Sequence, residues 1–256
     1  MSRAALRLRQ LARQPIARLL SRIPAAPLEA LLTAAITQRA RSLAPADGLR
    51  FLFGLEAALY PLQGILAIAY DGGVHTKHRH TRYHDFFISR VQPNDRVLDI
   101  GCGSGALAYD LAAKAGAHVV GIDLSEANIA LATRRYGHSQ VRYLVGDAVR
   151  ALPRTHFDVV VLSNVLEHIE ERPAFLRRVQ AAMRPNRILI RVPLFERDWR
   201  VPLKRELGIE WRLDPTHETE YTLESFAIEI AAARLSIVHQ EVRWGELWAE
   251  SAHHAP

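Results

Sequence analysis

The sequence predicts an α/β fold: a seven-stranded, mostly parallel sheet with helices on both faces, preceded by an N-terminal helical extension. Three observations carry this. From residue 96 onward, short apolar runs alternate with longer amphipathic ones, the pattern of repeated strand–helix–strand units. The run FDVVVLS is continuously apolar and β-branched, as a strand covered on both faces requires. In VLDIGCGSGALA, beginning at Val97, a glycine-rich turn joins such a run to a helical one, and in open α/β sheets a turn of this kind lies where ligands bind.

Taken in order, residues 1–43 read as helical and end near Ala44-Pro45. Residues 49–70 read as one or two apolar helices broken near Pro61, and Asp71-Gly72-Gly73 is a turn signal. Residues 76–91 read as a helix with Phe86, Phe87, Ile88 and Val91 toward a core. RVLDIG is a strand, GALAYDLAAKAG a helix closed by Gly116, AHVVGID a strand, and SEANIALATRRYG a helix with Ser125 as N-cap, ended by Gly137. VRYLVGD and FDVVVLS are strands, RPAFLRRVQAAM a helix and RILIRVP a strand. A polar loop spans 194–221, TLESFAIEIAAARL is a helix, and LSIVHQEV with RWGELWAE closes the sheet. The division expected is a helical extension over 1–74 and an α/β domain over 75–250.

The 256 residues carry a net charge of +6, and the excess is local. Residues 1–50 hold nine Lys/Arg against Glu29 and Asp47, whereas the remainder is close to neutral. A whole-body footprint for double-stranded nucleic acid is therefore not expected. The Arg-rich start is a candidate for peripheral membrane contact, a transit peptide or a plain helix. No clean apolar run of membrane-spanning length occurs, because FLFGLEAALYPLQGILAIAY is interrupted by Glu56, Pro61, Gln63 and Gly64, so no transmembrane helix is expected. The single cysteine, Cys102, excludes an internal disulfide framework and a Cys-rich zinc site. A cytoplasmic protein is expected, peripheral at the inner membrane surface if the N-terminus docks there. Three lysines among many arginines and alanines suit a bacterial source.

The ligand class follows from spacing. Gly101, Gly103 and Gly105 give G-x-G-x-G rather than the dinucleotide G-x-G-x-x-G. Asp99 precedes them, Asp123 ends the second strand, and Asp147 follows the third. A carboxylate at Asp123 can accept from two ribose hydroxyls, and one at Asp147 can meet an adenine amino group. Together they argue for an adenosine ligand without a pyrophosphate.

At this point residues 96–193 resemble the class I S-adenosylmethionine-dependent methyltransferases, which have a Rossmann-like sheet. VLDIGCGSG is similar to that family's first motif, GIDLS to its acidic second, GDA to its third, and FDVVVLSNVLEHIEE to its fourth strand and following helix. The turn before strand five reads MRPNR where the family usually has Lys-Pro-Gly-Gly. The resemblance implies S-adenosyl-L-methionine as cofactor. It also implies that Gly101, Gly103 and Gly105 line its methionine part, with Asp99 holding the loop or meeting the amino group through water. Asp123 would bind the ribose, Leu124 would flank adenine, and Asp147 would bind the adenine amine with Ala148 beside it. Asn164 would offer its backbone carbonyl to the ammonium.

The resemblance further implies a methyltransferase acting on a small molecule, glycan precursor or lipid, with O-methylation foremost. SNVLEH replaces the Asn/Asp-Pro-Pro-aromatic motif of relatives that methylate amide or adenine nitrogens. Carbon methylation of a quinone-like acceptor, tRNA modification and a silent cofactor-binding scaffold at a membrane stay open. Hydroxyl acceptors benefit from a base, and the candidates are His168 beside Glu167, and His217 in DPTHETEYT. In HTKHRHTRYHDF, helical spacing places His80 with His84 on one face, and His75 and His78 off it. The stretch reads as a lid in which Arg82, Tyr83 or His84 meets the cofactor carboxylate. No metal is expected, since no HExxH pattern accompanies these histidines. Arg197, Trp199, Arg200, Lys204, Arg205 and Trp211 are candidates for acceptor recognition.

Overall fold

The computed structural model describes residues 20–253. The Arg-rich start, expected to be helical and a docking candidate, runs from Ser2 to Pro24, and its part at 1–19 lies outside the described residues. The chain divides into two compact units, the second beginning at Leu66.

Helix α1 (Ala25–Arg41) lies in the first unit and leads to helix α2 (Pro45–Tyr70), whose last five residues belong to the second. Gly48 allows close approach here, because a Cβ on it would lie 2.9 Å from the Ala40 carbonyl oxygen. α2 differs from expectation. It runs unbroken for 26 residues through Pro61. A proline forfeits one N–H bond and strains the turn before it, but the remaining i→i−4 bonds can carry the helix on. α2 is also long and apolar enough to cross a membrane, with only 6% of its most apolar window buried.

In the second unit, residues 76–91 form two short helices rather than one, α3 (Lys77–Thr81) and α4 (Tyr83–Ile88). Arg82 between them is left-handed at φ 51°, which ends one helix and re-aims the next. Phe86, Phe87 and Val91 are buried as expected. The alternating part follows: β1 (Arg96–Ile100), α5 (Ala106–Ala115), β2 (His118–Asp123), α6 (Glu126–Arg135), β3 (Val141–Val145) and β4 (Val159–Ser163). A 3-10 turn (Leu166–His168) then leads to α7 (Arg172–Met183) and β5 (Arg187–Pro193). The segment read as a loop holds a second 3-10 turn (Phe195–Arg197) and α8 (Arg200–Glu206), before α9 (Leu223–Ala232), β6 (Leu235–Arg243) and β7 (Glu246–His253). Local chemistry sets the boundaries. Ser125 accepts from the Asn128 N–H at the start of α6, and Thr222 with Ser225 forms a reciprocal cap on α9. α6 ends on Tyr136 rather than Gly137.

The seven strands form one sheet in the order β3-β2-β1-β4-β5-β7-β6. The first five pair in parallel and β7 pairs antiparallel to both neighbours. The chain winds outward from β1 in one direction and from β4 in the other, so a crevice opens at the carboxyl ends of β1 and β4. Period-two alternation sorts side chains onto two cores. Leu98, Ile100, Val160 and Leu162 pack with Phe175, Leu176 and Phe226 on one face. Val97, Val159, Val161, Leu189 and Trp248 pack with Phe86, Phe87 and Leu111 on the other. Asp99 and Arg191 share the register of Val97 and Leu189 and therefore point to the second face.

Candidate active site

At the crevice, a cavity of about 350 Å³ is lined by Gly101, Asp123, Leu124, Asp147, Ala148, Asn164 and His168, among others. Six of the nine residues expected to bind a nucleoside-bearing cofactor thus meet on one wall. The loop after β1 is built to be approached. Gly101 has φ +70°, and a Cβ there would come within 2.5 Å of Val165 Cγ2. Asp123 fastens this loop to the next: its Oδ2 accepts from the Gly103 N–H at 2.9 Å, and its Oδ1 accepts from the Ser125 N–H at 2.9 Å and Asn128 Nδ2 at 3.1 Å. Asp147 likewise accepts from the Val149 N–H at 2.9 Å. Leu124 is exposed beside them, an apolar surface suited to a flat heterocycle.

Three expected residues do not line this cavity. Gly105 turns away: a Cβ on it would meet Ala132 Cβ and Tyr143 Oη at 2.7 Å. Its carbonyl accepts from the Tyr143 hydroxyl at 3.1 Å, so its work is close packing of α5 against β3. Gly103 contributes its N–H to Asp123. Asp99 is 1% exposed with an unpartnered Oδ2, and burial, aided by the Asp123 charge, pushes its carboxyl up to about 8.

The loop after β4 gathers polar and titratable groups at the same crevice. Asn164 is left-handed at φ 55°, held by its N–H donating to the Arg191 carbonyl at 2.8 Å, and its Oδ1 is buried and unpartnered. The next turn brings Glu167, His168 and His217 together, with donor atoms all within 4.8 Å of one another. The Glu167 carboxylate is fully buried and neither oxygen has a partner. Burial pushes it up to about 7 against the pull of His217 and Arg191. His217 is pinned to this turn because the Glu218 N–H donates to the Glu167 carbonyl at 2.8 Å. Its Nδ1 lies 3.2 Å from Glu220 Oε1, and Glu220 is ion-paired with Arg197. The His168 and His217 rings meet edge-on with centroids 4.6 Å apart.

His168 Nδ1 is 3.0 Å from Thr216 Oγ1, whose hydroxyl donates to Asp214 Oδ1 at 2.7 Å. With that hydrogen committed, His168 Nδ1–H must donate to Thr216, leaving Nε2 able to accept a proton. Burial and the neighbouring His217 hold the His168 pKa below its ordinary value, so the ring is neutral at pH 7. Of the two histidines proposed from sequence, His168 lines the cavity and His217 stands behind it. An adjoining hollow of about 720 Å³ shares Val149, His168 and Ile169 with the cavity. A divalent cation suits the donor set of Glu167, His168 and His217, since it would satisfy a buried carboxylate that otherwise lacks partners. Local spacing holds no sign of this set, because His217 lies far from LEH in the chain.

The lid histidines occupy other posts. The break at Arg82 separates His80 from His84, and His78 instead meets His84 at 3.3 Å and the Tyr83 hydroxyl at 3.2 Å. His84 is tied to Asp110 at 2.7 Å, and Arg82 to Asp85 at 2.6 Å. Sequence reasoning missed Arg191: it lies 3.9 Å over the Tyr83 ring and pairs with Glu246 through Nε at 2.6 Å. An arginine in the middle of an otherwise apolar strand was the available signal. In the acceptor segment, Arg197 donates to the Leu194 and Trp211 carbonyls and Arg200 pairs with Asp198, so these cations brace the segment itself.

Residues 98–190 match the methyltransferase-domain family. Over these residues the chain is similar to class I S-adenosylmethionine-dependent methyltransferase domains. A ubiquinone biosynthesis O-methyltransferase of Bradyrhizobium diazoefficiens is 36% identical over 129 residues, 48% of this chain and 50% of that one. Another from Rhodopseudomonas palustris is 33% identical over 155 residues, 57% and 59% of the two chains. The chain thus spans about half the length of the curated relatives it matches. The magnesium protoporphyrin IX methyltransferase of Synechocystis PCC 6803, solved with bound S-adenosylhomocysteine, superposes with a TM-score of 0.55 at 20% identity, covering 68% of this chain and 84% of that one. The methyltransferase domain fits such a cofactor on its own geometry, with Gly101 at a turn where a Cβ would strike Val165, two carboxylates at successive strand ends and an unpartnered Asn164 oxygen.

Proposed function

We propose that this protein transfers the methyl group of S-adenosylmethionine to a hydroxyl oxygen of a small molecule, most directly a phenolic or enolic one. One observation carries the reading. His168 stands on the wall shared by the cofactor cavity and the adjoining hollow, with Asp214 and Thr216 setting the tautomer that leaves Nε2 as a base. Asp123, Leu124, Asp147 and Ala148 would hold the nucleoside, and Gly101 and Asn164 the methionine end. Bound there, the cofactor supplies an electrophilic methyl. His168 Nε2 takes the proton of the acceptor hydroxyl, and His217, braced by Glu220, keeps the His168 ring in place. General-base assistance of this kind is worth roughly 10²–10⁴-fold. The names of the curated relatives support oxygen as the accepting atom and a ring acceptor.

A second reading rests on the unpartnered Glu167 carboxylate: a divalent cation held by Glu167, His168 and His217 would lower the pKa of the acceptor hydroxyl instead. Methyl-labelled cofactor offered with catechols, hydroxylated benzoates, quinols, tRNA and glycolipids tests both, with and without chelator. The base reading expects label in the hydroxylated rings regardless of chelator, and the cation reading expects it only without chelator. Label confined to tRNA or to ring carbon would remove the O-methylation proposal, and tight cofactor binding without turnover on any class would favour a scaffold.

A further inference from the structure

We propose that α2 is embedded in the hydrocarbon region of a bilayer containing anionic lipid, and that it anchors the methyltransferase domain to that membrane. Nothing in the proposed chemistry requires this, and the two stand independently. The helix has 26 residues, a length of about 39 Å at 1.5 Å per residue, against a hydrocarbon core of about 30 Å. Its apolar side chains do not form a stripe. At about 100° per residue, Leu52, Leu59, Leu62, Ile65, Leu66 and Ile68 spread over about 200° of the circumference, each more than 40% exposed, and the exposed Tyr60 falls in the remaining arc. A helix whose apolar surface wraps more than half of its circumference has two stable homes, a protein interior or a membrane, and this one is not buried among the described residues. An in-plane surface helix is the poorer fit, because it needs a broad charged face, and residues 51–70 contain a single charged residue, Glu56.

Charge selects the lipid. Arg39, Arg41 and Arg50 precede the apolar stretch and Lys77, Arg79 and Arg82 follow it, against Asp47 and Asp71. Both flanks are therefore net positive and complement anionic headgroups. Residues 1–23 add six arginines and no acid. Tyr70 closes the helix and is 82% exposed, an amphipathic ring at the level where such rings sit between acyl chains and water. Only six residues separate Tyr70 from α3, so the catalytic domain follows the anchor with little slack.

The test is flotation of the full chain with phosphatidylcholine vesicles, with and without one quarter phosphatidylglycerol. The wild-type chain should float with the anionic vesicles and stay bound through 1 M salt and a carbonate wash. Leu62→Glu with Ile65→Glu, which touches no catalytic or binding residue, should lower the bound fraction at least tenfold while leaving S-adenosylhomocysteine binding unchanged, which certifies the fold. Release of the wild-type chain by salt alone would reduce the contact to surface electrostatics and overturn embedding. So would a vesicle-free, soluble oligomer in which a second copy covers α2, or flotation that survives the double substitution.

Discussion

Gly101→Ala isolates the geometry on which cofactor binding depends. Two costs arise at this position. A non-glycine residue at φ +70° costs about 1–2 kcal/mol. The new methyl would also sit 2.5 Å from Val165 Cγ2, and relieving such an overlap by displacing a packed side chain costs about 1–3 kcal/mol. Val165 lines the same cavity, so the displacement narrows the space for the ligand. Cofactor affinity should fall by about 1–3 kcal/mol, or roughly 5- to 150-fold. Val165→Ala removes the overlapping methyl groups but leaves the backbone strain. The double variant should therefore recover part of the affinity, with a coupling of about 1–2 kcal/mol between the two sites. Calorimetry with S-adenosylhomocysteine on the four proteins measures this directly. Unchanged affinity in Gly101→Ala, or a coupling within error of zero, would refute the reasoning.

Three further outcomes are expected. His168→Gln should lower turnover by roughly 10²–10⁴-fold with cofactor affinity unchanged, and equal losses of both would place His168 in binding rather than proton transfer. Glu167→Gln should weaken zinc or magnesium binding at least tenfold in a titration followed by calorimetry, since it removes the anionic ligand, whereas identical titrations would leave the donor set without a cation. Asp99 takes its folded pKa from burial, raised to about 8 from an ordinary value near 4. The native state then binds more protons than the unfolded state between those values, so the Asp99 contribution is present in full below about pH 4 and is lost as pH rises through 8. Asp99→Asn should flatten that decline and gain on the order of 1–3 kcal/mol above pH 8, and an unchanged pH slope in denaturant melts would show that Asp99 is solvated.

The alternating core was legible because each strand is a short β-branched run and each helix is punctuated by a cap, as at Ser125 and Thr222. The meeting of Gly101, Asp123 and Asp147 on one cavity wall was legible because each sits at or just past a strand end, where topology converges them. Other features lie in tertiary relations that local pattern does not encode. No glycine marks the break at Arg82, so a single helix was the natural reading of 76–91, and with it the wrong histidine pair. Gly105 looks like its neighbours in the motif, yet its Cα faces Tyr143 rather than the cavity. The Glu167–His168–His217 set requires the segment after β5 to fold back onto the turn after β4. α2 was read as broken because Pro61 is a strong local signal, whereas an unbroken apolar helix is tolerated when most of its hydrogen bonds persist.

Calorimetric titration of S-adenosylhomocysteine into the wild-type chain and Asp123→Ala tests the central claim most directly. Asp123 joins the two loops that frame the crevice, so saturable one-to-one binding should weaken by about 1–3 kcal/mol on its removal. No saturable binding to the wild-type chain, or equal binding to both proteins, would contradict the placement of the cofactor at the carboxyl ends of β1 and β2.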